Sequence, residues 1–221
     1  MSTAAPFAPP RQTLRRLTPP LVLTGVSWDA YCEMRDDDGN ARLRLTYDSK
    51  SRRLEVGMPG KRHDSVAELL SYFVAGYGRV RRTAITPVGS TTWRKQTVGG
   101  AEADKAFHVA RSNVDLGLDR NVPDLDGGDV PPDLVVEVDV TSPGVSKLPI
   151  YAGIGVPEVW VWENDAIAVH RLVEGKYERI DRSVELSGFP IEFAAELIAT
   201  RADAATFELE EAFAERLRAA G

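Results

Sequence analysis

Apolar side chains recur at Val66, Leu69, Leu70, Phe73, Val74 and Tyr77. That spacing follows the 3.6-residue turn and predicts an amphipathic helix over HDSVAELLSYFVAGYG, with Gly78 as its stop. Elsewhere the pattern alternates. ARLRLTYD (41–48) and RRLEVGM (52–58) read as two strands of a hairpin, RTAITPVG (82–89) and DKAFHVA (104–110) as two more. PEVWVWE (157–163), AIAVHRLV (166–173) and KYERID (176–181) continue the strands, and the tail from Ile191 reads as two helical pieces. Ser27 is placed to cap a short helix running to Met34. GSTTWRKQTVGG reads as a loop, and residues 111–130 as a polar excursion. The order of elements predicts an α/β fold, a mixed central sheet flanked by helices.

One strand breaks the pattern. In PPDLVVEVDVTSP (131–143), alternation puts Leu134, Val136, Val138 and Val140 on one face. Asp133, Val135, Glu137 and Asp139 fall on the other. A buried charge is costly unless it is paired or binds a metal, so this face asks for a cation or a buried partner. Ser142 and Pro143 then suit a helix start, and Gly155 its end.

Length and charge narrow the field. The 221 residues suit one domain with appendages, and no apolar run is long enough to cross a membrane. The Pro-, Ala- and Arg-rich residues 1–23 read as a loose arm without a secretion signal, residues 24–189 as the main domain, and 190–221 as a helical extension. A lone Cys32 rules out an intrachain disulfide, and a cytoplasmic location is the expectation. The net charge of −6 argues against binding nucleic acid by bulk attraction. Its distribution changes that picture. Residues 1–100 hold 16 Lys+Arg against 9 Asp+Glu, and residues 101–221 hold 11 against 24. Basic clusters in the first half can meet phosphates locally.

Several chemistries are set aside. His63, His108 and His170 lack metal-ligand spacing and read as ordinary structural or surface residues. Cys32 has no sign of activation. DLDGGD (124–129) fails as a calcium loop, because the twelfth position is Val135 rather than Glu. A carboxylate pair and a lysine remain. Asp104 opens one strand and Glu137 lies in another. Two such strands side by side can hold a hard divalent cation such as Mg²⁺, which takes one or two carboxylates, waters and substrate phosphate. Lys147 follows in the first turns of the next helix, where it can orient a water or stabilise charge on a phosphate. Asp133 and Glu55 are secondary candidates that read first as ion-pair residues. Glu55 can also approach the metal or the first helix. Arg94 can touch phosphate or brace its loop, and Trp93, Trp160 and Trp162 read as core or dimer contacts.

The motifs GSTTWR, EADKAFHV, PPDLVVEVDVTSP and KLPIYAGIGVPEVWVWE, with GVSWDAYCEM, RLTYDSKSRRLEVGMPG and HDSVAELL before them, resemble the Uma-type restriction endonucleases. These belong to the PD-(D/E)XK nuclease superfamily, and the resemblance covers roughly residues 24–185. It implies a restriction-endonuclease-like fold and hydrolysis of DNA phosphodiesters dependent on Mg²⁺, with Mn²⁺ as a substitute. Asp104 would match the first metal-binding Asp and Glu137 the acidic member of the (D/E)XK element. The signature lysine would fall at position 139, where this chain has Asp139, so the lysine's role passes to Lys147. Asp139 would be an extra ligand or a partner of Lys147, and a Val138 carbonyl would complete the ligands. A homodimer would suit cleavage of both strands. The rival reading is a catalytically silent DNA-binding or regulatory protein that keeps the fold; a structural protein with internally paired carboxylates stands behind it.

Overall fold

The computed structural model describes residues 20–58, 60–111, 122–138 and 144–220. In chain order the elements are β1 (Leu21–Thr24), α1 (Trp28–Asp36), β2 (Arg44–Asp48), β3 (Arg53–Gly57), α2 (Lys61–Arg81) and β4 (Ile85–Gly89). Then come β5 (Thr92–Lys95), β6 (Gly99–Glu102), β7 (Lys105–Val109), β8 (Leu134–Val138) and α3 (Leu148–Ile154). The chain ends with β9 (Glu158–Glu163), β10 (Ala166–Val173), β11 (Lys176–Ile180), α4 (Ile191–Arg201) and α5 (Thr206–Ala219).

A mixed six-stranded sheet runs in the order β11-β10-β9-β8-β7-β4. Its neighbours are antiparallel except β8 and β9, which pair in parallel. A parallel pair needs a crossover, and α3 lies in it. A second sheet, antiparallel throughout, runs β1-β3-β2-β6-β5. The architecture is the α/β fold expected, with β1, β2, β3, β5 and β6 gathered into a sheet of their own.

The apolar patterns explain the layers. The stripe on α2 is buried as its periodicity predicts, and it packs with α4, α5 and one face of the six-stranded sheet. Phe73 stacks on Phe213 of α5 at 4.6 Å, so residues 190–220 share this core. All five residues of β8 are buried. Leu134, Val136 and Val138 face α2, while Val135 joins Ile150, Tyr151 and Ile154 of α3 beneath the opposite face. Glu137 alternates onto that second face. A smaller cluster of Tyr31, Leu45, Tyr47 and Leu54 fixes α1 on the five-stranded sheet. Ser27 caps α1 as expected, accepting from the Ala30 amide at 3.1 Å.

Three expectations are corrected. Gly78 does not stop α2; the helix runs on to Arg81 and ends at Arg82 in the left-handed region (φ 55°). GSTTWRKQTVGG is not simply a loop, since it supplies β5 and β6. Its Gly99 and Gly100 resemble turn residues but sit in a strand. A side chain at Gly99 would meet the Tyr47 carbonyl and one at Gly100 the Tyr31 hydroxyl, each at 2.1 Å. Finally, α3 starts at Leu148, later than expected, with Pro149 in its first turn. Ser142 and Pro143 lie outside the described residues. Gly155, at φ 85°, closes α3 as its sequence suggests. No helix among the described residues is long and apolar enough to cross a membrane.

Candidate active site

The register of β7 on β8 brings the two carboxylates together. Lys105 pairs with Val136, so Asp104 comes beside Glu137 at the end of the ladder. Asp104 is buried, and its Oδ2 accepts a hydrogen bond from the Val138 amide at 2.8 Å. Glu137, also buried, projects toward α3. Its Oε2 accepts from Lys147 Nζ at 2.6 Å, and its Oε1 accepts from the Tyr151 hydroxyl. Lys147 Nζ donates a second bond, 2.8 Å long, to the Glu102 carbonyl at the end of β6. From the other side of the sheet, His63 in the first turn of α2 sets Nε2 2.9 Å from Asp104 Oδ2.

Burial and charge tune these groups against one another. Burial, with the nearby charge of Asp104 adding to it, pushes Glu137 up to about 7 despite Lys147 and Tyr151. Burial acts the same way on Asp104. There the Lys147 and His63 charges and the Val138 amide win, and its carboxyl lies well below the usual range. Burial disfavours the Lys147 ammonium, but Glu137 and Asp104 outweigh it and raise its pKa. The His63 imidazolium is likewise opposed by burial and favoured more strongly by Asp104 and Asp64, so it titrates above its ordinary value.

A family model, Uma2, described as "Putative restriction endonuclease", matches residues 28–198. This chain belongs to the Uma2 family. No curated protein matches it. The family is PD-(D/E)XK-like, and its description points to a nuclease and so to DNA as substrate. Asp104, Glu137 and Lys147, singled out in this Uma2 sequence, converge. Lys147 differs in detail, being the residue before α3 rather than part of its first turns. Asp139 lies outside the described residues.

Two residues at the site escape the sequence reading. His63, taken as ordinary, reaches Asp104 from α2; its one signal is its position at the start of the strongest helix. Tyr151 lies four residues after Lys147, one helical turn, and that spacing was the available clue. Other candidates sit elsewhere. Asp133 accepts from the Val109 amide and is held by Arg111 through two nitrogens. Glu55 accepts a hydrogen bond from the Val145 amide at 2.8 Å. Arg94 braces α1 through Asp36. Trp93, Trp160 and Trp162 are core residues.

Among the described residues no group of three or more His, Cys, Asp or Glu is arranged to hold a metal ion. The donor chemistry still suits Mg²⁺ or Mn²⁺, which bind through one or two carboxylates and complete their shells with water and phosphate. Burial raises the pKa of Glu137, with the neighbouring Asp104 charge adding to it, and a divalent cation held by the two carboxylates would offset both.

Proposed function

We propose that this protein is a metal-dependent endonuclease that hydrolyses DNA phosphodiester bonds. The observation that carries the reading is the convergence of Asp104 and Glu137 under one lysine, Lys147, in a chain of the Uma2 family. Asp104 and Glu137 would hold Mg²⁺ or Mn²⁺, which when bound supplies Lewis-acid activation of phosphate and water. Lys147 orients the attacking water or stabilises charge on the phosphate, its ammonium aimed by Glu137 and the Glu102 carbonyl. Tyr151 fixes the rotamer of Glu137, and His63 fixes that of Asp104. The basic residues of the N-terminal half would meet the DNA backbone, so binding should weaken with salt.

One observation favours the rival, catalytically silent DNA-binding reading: both Glu137 oxygens are already hydrogen-bonded within the protein. Incubating pure protein with supercoiled plasmid separates the two. Nicking that needs Mg²⁺ or Mn²⁺, stops with EDTA and disappears in Glu137→Ala and Lys147→Ala supports the nuclease. DNA binding without nicking in either metal supports the silent binder.

A further inference from the structure

Lys147 is not carried by a long rigid element. It precedes a seven-residue helix, and the described chain leading to it, Gly144 to Ser146, is neither helix nor strand. Something must hold that segment if the lysine is to stay 2.6 Å from Glu137. The five-stranded sheet offers the hold. Glu55 sits on β3, paired with Val22 of β1 on one side and Thr46 of β2 on the other. Its buried carboxylate reaches out of the sheet and accepts the Val145 amide at 2.8 Å, two residues before Lys147. The neighbouring residue is pressed on the same spot. A Cβ at Gly144 would come 2.5 Å from Val22 Cγ2 and 3.0 Å from Glu55 Oε2.

We infer that Glu55 is a positioning residue for Lys147, and that through it the N-terminal sheet sets the geometry of the active site. The inference rests on the role given to Lys147 above. Glu55 touches neither the carboxylate pair nor Lys147 itself; it acts through the Val145 backbone. A carboxylate suits the task, since a hydrogen bond from a backbone N–H to a charged acceptor is stronger than a neutral one. An amide oxygen can accept the same bond, so glutamine should largely replace it.

The test reads Lys147 directly. In protein labelled with ¹³C-lysine, the Lys147 Cε resonance, assigned by its loss in Lys147→Arg, is compared among the parent, Glu55→Gln and Glu55→Ala. The expected result is a resonance displaced toward those of exposed lysines in Glu55→Ala and retained in Glu55→Gln. If Glu55→Ala fails to fold, Gly144→Ala disturbs the same contact and should displace the same resonance. In the nicking assay Glu55→Ala should lower kcat by about 10- to 100-fold with little change in KM, and Glu55→Gln should recover most of it. An unmoved Lys147 resonance in folded Glu55→Ala or Gly144→Ala overturns the inference. A parent that never nicks DNA, with the resonance displaced as expected, overturns the nuclease reading and leaves the positioning intact.

Discussion

The parallel strands β8 and β9 each carry a buried glutamate, and the two are handled in opposite ways. Glu158, at the start of β9, is wholly buried and surrounded by neutral donors. Its Oε1 accepts from Trp160 Nε1 and the Ser183 hydroxyl, and its Oε2 from the Val184 and Glu185 amides. This carboxylate staples the segment after β11 to the sheet. Glu137, near the end of β8, accepts instead from a lysine and a tyrosine and lies beside a second carboxylate. Burial alone therefore does not mark a functional acid. The difference lies in the partners. Fixed neutral dipoles suit an acid that holds structure together, and titratable neighbours suit one that exchanges partners.

The sharpest way to break this comparison is to remove each acid. Glu137→Ala should reduce metal-dependent nicking to background while the protein stays folded, as circular dichroism would check. Lys147→Met should follow with a loss of about 100- to 1000-fold, read as kcat in the same assay. Glu158→Ala should do the reverse. It should lower stability by about 3 kcal/mol, measured by urea unfolding, and leave the rate per folded molecule unchanged. A dead but stable Glu158→Ala would erase the contrast.

Two smaller effects concern pH. Glu137 has a folded pKa raised to about 7, so protons compete for it as pH falls through that value. Mn²⁺ affinity, followed by electron paramagnetic resonance, should therefore weaken below about pH 7. For His63 the folded pKa lies above the unfolded one, so the stability it contributes is full below the unfolded value and is lost as pH rises through the folded value. The difference in unfolding midpoint between the parent and His63→Gln should be larger at about pH 6 than at about pH 9. An equal difference at both would show that the Asp104 contact carries no charge-dependent stability.

Much of this was legible in the chain. The stripe on α2 announces its buried face because helical periodicity maps directly onto exposure. β8 was legible because alternation isolates Glu137 among valines. The hairpin of β5 and β6 was not, since Gly99 and Gly100 answer to Tyr47 and Tyr31, distant in sequence. The site divides along the same line. Asp104 and Glu137 stand out as acids in strands, and Lys147 gained its role from the family pattern. His63 has no mark beyond its place at the start of α2, because the contact that matters is made only when α2 lies against the ends of β7 and β8.

The amide of Val138 gives the site a reporter of its own. That proton is buried and bound to a side chain 34 residues away. Its release to solvent requires β7 and β8 to part at the place where Asp104 and Glu137 meet. Hydrogen exchange at this one position would then measure, in the resting protein, how often the two acids separate. An amide as slow as those at the centre of α2 would mean that the site comes apart only when the whole domain unfolds.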